Sequence, residues 1–316
     1  MDIHQAVSIV KRLHAEKGSS PTRDEIRASG VSDYFLRRHG GFNRLMNEAG
    51  LPTYHDSKTE LEPSKLRFLY IDIETSAILA HVWGLFDQNI ALNQIDKDWS
   101  ILSFAAKFAD EDKMHYLDVR YEADIRDDSM LCVALHHLMQ QADFVCAHNA
   151  AAFDVKKINA RFLKHGLSPL QHYRVVDTLK IAKRNFKLTS NKLDYIASYF
   201  GIEGKLKDRK FPGQTLWNEC LKRNMAAFEE LEAYNKQDVV VLVQVHERIR
   251  AWDKGTNNTV FTGNECACGG EVSALDRLKW TNTGSFRLFA CTKCGRQYQS
   301  RENEVSPEQR KGLLKC

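Results

Sequence analysis

The 316-residue sequence predicts an α/β protein: a mixed sheet flanked by helices, preceded by a small all-α module and followed by a cysteine-paired segment. Three observations predict it. Residues 1–52 read as short helices punctuated by glycine. From residue 67, strand-like apolar runs alternate with segments of helical period. Four of the eight cysteines form two close pairs near the C-terminus. Hydrophobic residues at 43%, charged residues at 27% and only six prolines exclude a chain dominated by disorder or collagen-like repeats. No apolar run reaches membrane-span length, and charges fall where a secretory apolar region would sit, so a cytoplasmic location is expected. The formal charge of +4 lies in the two ends, because residues 61–263 are balanced. A charge this mild neither requires nor excludes a nucleic-acid partner.

In the first module, Ile3, Val7, Val10 and Leu13 recur at helical spacing up to Gly18. Thr22 with Glu25 makes a capping box for a second helix, Ser32 can cap a third, and a fourth follows Gly41. Two short helices joined by a glycine-containing turn outline a helix-turn-helix. In that reading the third helix presents Tyr34, Arg37 and Arg38 to a nucleic-acid groove, while Phe35 and Leu36 hold it to the core. A plain helical packing module explains the pattern equally well. The run from Ser20 to Leu51, with Pro21-Thr22 before the second helix and Gly40 or Gly41, Asn43, Ala49 and Gly50 at its end, resembles the repeat found beside homing endonucleases and in phage proteins. The resemblance implies DNA binding. Residues 53–66 lack apolar periodicity and read as a linker, residues 67–253 as the central domain, 254–263 as a second linker, 264–301 as the cysteine module and 302–316 as a tail.

The central domain opens on a strand, residues 67–75, whose alternate residues face opposite ways. Tyr70, Asp72 and Glu74 thus share one side, and Leu69, Ile71 and Ile73 the other. A second strand over 144–148 leads through Asn149 into a helix with Asp154 in its first turn, a position the helix dipole favours for an acid. The apolar set Leu231, Leu242, Val245 and Ile249 predicts one long helix from about Met225 to Trp252, although the run after Asp238 has strand propensity. Spacing of four puts Tyr234 and Asp238 on one face of that helix.

These residues, as Asp72-x-Glu74, Asn149-x-x-x-Phe153-Asp154 and Tyr234-x-x-x-Asp238 in that order, resemble the DEDD superfamily of 3′-to-5′ exonucleases, built on a ribonuclease-H-like fold. The Tyr subtype is implied, because the His subtype needs histidine five residues before the last acid and Ala233 stands there. With the quartet complete, Asp177 and Asp194 are expected to be structural or to support the acids of the site from behind. Phosphodiester hydrolysis needs an activated water and stabilisation of added negative charge, which two divalent cations about 3.5–4 Å apart supply together. Hard cations take oxygen ligands, so Mg²⁺ or Mn²⁺ is expected. The resemblance implies that Asp72 bridges both ions, Glu74 and Asp238 complete the one holding the nucleophilic water, and Asp154 supports the other. Tyr234 would orient that water, since a phenol with a pKa near ~10 is a poor base at neutral pH.

Approach of a phosphate backbone is expected along Lys205, Lys207, Arg209 and Lys210, with Asn149 beside the site and Lys183, Arg184 and Lys187 as a second basic run; a solvated loop is the commoner explanation of any one run. Trp83 and Phe86 could stack on bases, with core packing the expected fate of at least one. Cys266 and Cys268, with Cys291 and Cys294, flank a segment whose Asn282–Gly284 centre suits a hairpin turn. Four thiolates so spaced suit one structural Zn²⁺, and the arrangement resembles a zinc ribbon, departing from it in a first pair spaced C-x-C. Lys279, Arg287, Lys293 and Arg296 with Trp280, Phe286 and Tyr298 could grip DNA, or the zinc could simply stand in for a missing core. Together these readings lead to the expectation of a metal-dependent 3′-to-5′ exonuclease, with DNA favoured over RNA, acting on single-stranded or frayed ends in phage or bacterial repair or replication. An exoribonuclease, an endonuclease and a non-catalytic binding scaffold are the alternatives.

Overall fold

The computed structural model describes residues 1–51, 66–170, 172–204, 209–253, 265–266, 268–281 and 283–312. Lys205, Lys207, Asn282, the linker residues 53–65 and 254–263, and the end of the tail lie outside them. The chain divides into two compact units, Met1–Ser64 and Lys65–Cys316.

In the first unit, local signals place four helices: α1 (Ile3–Lys17), α2 (Arg23–Ala28), α3 (Asp33–Arg38) and α4 (Phe42–Glu48). Asp2 and Thr22 each form a capping box, with Gln5 and Glu25 respectively, and Ser32 accepts from the Phe35 N–H. Gly18 ends α1 at φ 71°, a left-handed conformation that glycine adopts at little cost. Ala6, Val10, Ile26, Leu36, Leu45 and Met46 close the core. The α3 side chains divide as expected: Leu36 is buried, Phe35 stacks on His39 at 4.3 Å, and Tyr34, Arg37 and Arg38 are exposed.

The second unit is built on a five-stranded sheet. Its strands are β1 (Phe68–Thr75), β4 (Ile101–Phe108), β5 (Met114–Asp118), β6 (Phe144–Ala147) and β7 (Arg174–Asp177), in the order β5-β4-β1-β6-β7. Two short strands, β2 (Leu79–Ala80) and β3 (Ile95–Lys97), pair apart from it. β1 runs antiparallel to β4 and parallel to β6, so the sheet is mixed, with helices on both faces. This is the ribonuclease-H-like architecture that the motif resemblance implies.

Because β1 is central, its alternation separates two cores. Leu69, Ile71 and Ile73 pack with α5 (Ser129–Gln140), α6 (Asp154–Lys164) and α9 (Thr215–Leu221). Phe68 and Tyr70 pack with α7 (Thr178–Asn185), α8 (Leu193–Tyr199) and α10 (Met225–Ile249). Fully buried Phe104, Phe144 and Phe228 each contribute about 1.5–3 kcal/mol relative to exposure. Helical period prevails over strand propensity after Asp238: α10 runs unbroken to Ile249 and a 3₁₀ turn carries on to Trp252. Among the described residues, no helix is long and apolar enough to cross a membrane.

The cysteine segment folds as a three-stranded sheet of β8 (Val272–Thr281), β9 (Gly284–Cys291) and β10 (Gln297–Gln299). Thr281 pairs with Gly284, as the expected hairpin requires. Two of its residues differ from expectation. Arg296 is 5% exposed and Tyr298 7%, so neither is available to grip DNA. The Arg296 guanidinium instead donates to the Arg250 carbonyl at the end of α10.

Candidate active site

Strand pairing and helix periodicity bring the acids together. β1 is held on both sides, so Asp72 and Glu74 project from a strand that cannot slide. A register irregularity after Glu74 turns the chain away at Thr75. Asp238 approaches from α10, and carboxylate oxygens of Asp72, Glu74 and Asp238 all lie within 4.8 Å of one another. Tyr234, one turn earlier on α10, also lines the cleft, which measures about 400 Å³ and is walled further by Trp217, Gln214 and Phe153.

Asp154 is the buried first residue of α6. It stands outside the three-acid group but close enough that its charge raises the pKa of both Asp72 and Glu74. Its position depends on the turn before it. Asn149 takes a left-handed φ of 72°, and the N–H groups of Asn149 and Ala151 donate to Asp177. The same Asp177 carboxylate caps α7 through Leu179 and Lys180. Asp177 is thus structural, as expected, fixing the loop that delivers Asp154.

Burial and mutual repulsion dominate the electrostatics. Burial first, then the charges of Glu74, Asp154 and Asp238, push the Asp72 carboxyl well above the ordinary range. Burial pushes Glu74 up to about 8, against a lowering hydrogen bond from Trp217. It pushes Asp154 up to about 7. The Tyr234 phenol is likewise raised, by burial and then by Asp238, Glu74 and Asp72. Clustered oxygen donors whose ionisation is this costly fit a divalent cation, which supplies the missing positive charge.

Two residues absent from the sequence reading hold these acids. Asn235 Nδ2 donates to Asp72 Oδ2 at 2.5 Å and its Oδ1 accepts from Ser103 Oγ at 3.0 Å. Trp217 Nε1 donates to Glu74 Oε2 at 2.8 Å and its ring meets Tyr234 edge-on. Asn235 had a signal. It falls in the buried row Phe228, Leu231, Asn235, Val239 of an otherwise apolar helix face, where a polar residue needs a partner. Trp217 had none, since its partner Glu74 lies 143 residues away in sequence.

The basic candidates separate. Arg209 Nε pairs with Glu230 at 3.2 Å, and its guanidinium stands 4.8 Å from the Tyr234 ring centre, near enough that its charge lowers the Glu74 pKa, although Arg209 does not itself line the cleft. The Lys210 N–H also binds Glu230. Asn149 is half-buried in the turn before α6, its N–H bound to Asp177, while Lys183, Arg184 and Lys187 are exposed on and just after α7. Core packing claims neither Trp83 nor Phe86; they are 99% and 83% exposed.

Cys266, Cys268, Cys291 and Cys294 bring their sulfurs within 4.8 Å of one another. Sγ separations of 3.7 Å (Cys266–Cys294) and 3.5 Å (Cys268–Cys291) match the edge of roughly 3.8 Å of a tetrahedron with ~2.3 Å metal–sulfur bonds. The C-x-C spacing is accommodated by the two glycines after it. Gly269 turns at φ 74°, and a Cβ on Gly270 would stand 2.6 Å from Cys291 Sγ. The four thiols fit Zn²⁺. Asp128, Cys132 and His165 also converge, but the Asp128 carboxylate is taken by Arg161, His165 and the Ile101 N–H, leaving a closed structural network.

Comparison with curated proteins gives no match. Among solved structures, the chain is similar to the family B DNA polymerase from the hyperthermophilic archaeon Pyrobaculum calidifontis. Identity is 19% and the TM-score 0.43, over 60% of this chain and 25% of the polymerase, so the chain spans about a quarter of that protein. Residues 69–250 match the RNase_H superfamily, a stretch that is more than half of the chain and holds Asp72, Glu74, Asp154, Tyr234 and Asp238. On that match, the chain belongs to the RNase_H superfamily.

Proposed function

We propose that this nuclease-fold chain is a metal-dependent 3′-to-5′ exonuclease of the Tyr subtype that hydrolyses DNA, releasing nucleoside 5′-monophosphates. The observation that carries the reading is the convergence of Asp72, Glu74 and Asp238 within 4.8 Å, with Tyr234 in the same cleft. Asp72, Glu74, Asp238 and Asp154 would hold two Mg²⁺ or Mn²⁺ ions, which when bound activate water and neutralise charge on the phosphate. The protein's part is positioning. Asn235 and Trp217 fix the outer oxygens of Asp72 and Glu74, so the remaining lone pairs face the cleft. Tyr234, whose phenol keeps its proton because it is buried among carboxylates, orients the attacking water by hydrogen bonding.

Tyr34, Arg37 and Arg38 of the first unit, with Arg209, Lys210, Asn149, Lys205 and Lys207 of the second, serve as nucleic-acid contacts in this reading. The four-cysteine site holds one structural Zn²⁺. The cytoplasmic location, in a bacterial or phage-infected cell, fits thiols used as metal ligands instead of disulfides. The domain limits are those stated from the sequence.

Polarity and polymer are tested with strands labelled at the 5′ end, as single-stranded DNA, duplex DNA and RNA, in Mg²⁺ or Mn²⁺. The expected result is a ladder shortening stepwise from the 3′ end, fastest on single-stranded DNA. Immediate internal fragments, or loss beginning at the 5′ end, would overturn the exonuclease assignment, and faster loss of RNA would move the substrate to RNA.

A further inference from the structure

The segment between Ala77 and Ile95 has no part in the chemistry above, yet it exposes apolar side chains in succession. Trp83 is 99% exposed, Leu85 90%, Phe86 83% and Leu92 87%. Several large apolar side chains this exposed within one short segment mark an interaction site. The segment is held at its base, where Leu79 pairs with Lys97 and Ala80 with Ile95. The His81 N–H donates to the Gln94 carbonyl at 2.8 Å and Gln94 Nε2 returns a bond to the His81 carbonyl at 3.0 Å. Residues 82–93 therefore form a tongue on a clamped root.

That root is fastened to the cleft. Thr75, Ser76 and Ala77 line the cleft beside Glu74 and lead directly into β2. Arg126 spans both ends of the root, donating to Ser76 Oγ at 3.0 Å and to the Asp98 carbonyl at 2.7 Å. A strand entering the cleft thus passes a rim continuous with the tongue. Residues 78–94 contain one acid, Asp87, and neither lysine nor arginine, so the tongue offers a phosphate no lysine or arginine cation. What a nucleic-acid strand presents to an apolar, aromatic surface is the face of an unpaired base. The cleft, lined by acids, adds no attraction of its own for a polyanion, and stacking supplies affinity independently of charge.

We infer that the tongue is a base-stacking platform, on which Trp83 and Phe86 hold unpaired bases of the strand whose end occupies the acidic cleft. This deepens the nuclease reading and rests on it.

The test compares the full chain with its Trp83→Ala/Phe86→Ala double variant on three substrates. These are an eight-nucleotide single strand, the same strand with abasic linkers in place of its bases, and the p-nitrophenyl ester of thymidine 5′-monophosphate. Binding of both strands is also measured by fluorescence anisotropy without divalent ions. The variant is expected to bind the normal strand at least tenfold more weakly, with KM raised to match. It should match the wild type on the abasic strand and on the small ester. Equal affinity of the two proteins for the normal strand would overturn the platform, as would an equal loss on the abasic strand. So would a change in association state with strand affinity unchanged, which would assign the surface to a second copy of the chain. If the wild type hydrolyses neither strand nor ester, the nuclease reading fails separately, and the anisotropy comparison still decides whether the tongue binds bases.

Discussion

At the residue scale, the site consists of acids that resist ionising together until a cation joins them. Glu74 sits at about 8 against an ordinary 4.5, and Asp154 at about 7 against 3.8. Both are raised in the folded state, so their contribution to stability is present below pH ~4 and is lost as pH rises through 7 to 8. Without metal, the melting temperature should fall by about 5 °C between pH 5.5 and 8.5, a fall that Glu74→Gln flattens and Mn²⁺ reverses. Thermal melts of the two proteins with and without Mn²⁺ check this. Comparing the pair cancels groups common to both, such as buried His246, which burial pushes down to about 3. A wild-type slope equal to the variant's would count against the coupling. Asp72 with Glu74, and Tyr234 with Asp238, were legible as pairs because alternation in β1 and spacing of four in α10 translate directly into shared faces, and Asp154 because it opens a helix after a short apolar strand. Trp217 was not, because a hydrogen bond between α9 and β1 leaves no periodic trace in the sequence.

At the element scale, caps and turns were read well because they are local. Thr22 with Glu25, Ser32 and the hairpin closing at Thr281 and Gly284 depend on residues a few positions apart. Strand order was less accessible: placing β1 between β4 and β6 depends on contacts across dozens of residues, and only the family resemblance implied it. β10 was missed because three residues, Gln297, Tyr298 and Gln299, are too few to show a period. The ribbon they complete has a very small core. Among the described residues its buried apolar members are Cys266, Cys291 and Tyr298, so in the proposed reading a bound metal supplies what apolar burial cannot. Elemental analysis should find one zinc per chain. Its removal by a chelator, or Cys291→Ser, should open residues 265–304 to hydrogen exchange while residues 69–250 remain protected. A zinc-free protein with a protected ribbon would contradict the assignment.

At the scale of the whole molecule, the balanced charge of residues 61–263 conceals a local concentration, with Asp72, Glu74, Asp154 and Asp238 drawn together from β1, α6 and α10. Folding collects these four carboxyls at the cost of the pKa shifts described above. The sheet tolerates that cost because two apolar cores clamp β1 from either face. It follows that removing one acid should make the metal-free protein no less stable while removing its activity. The most direct measurement is the rate at which Asp72→Asn hydrolyses a labelled single strand in Mn²⁺, taken beside its melting temperature without metal. Loss of several kcal/mol of charge stabilisation predicts a fall of ~10³-fold or more, with a melting temperature equal to or above that of the wild type. Hydrolysis within twofold of the wild type would show that the acidic cleft is not where the bond is broken.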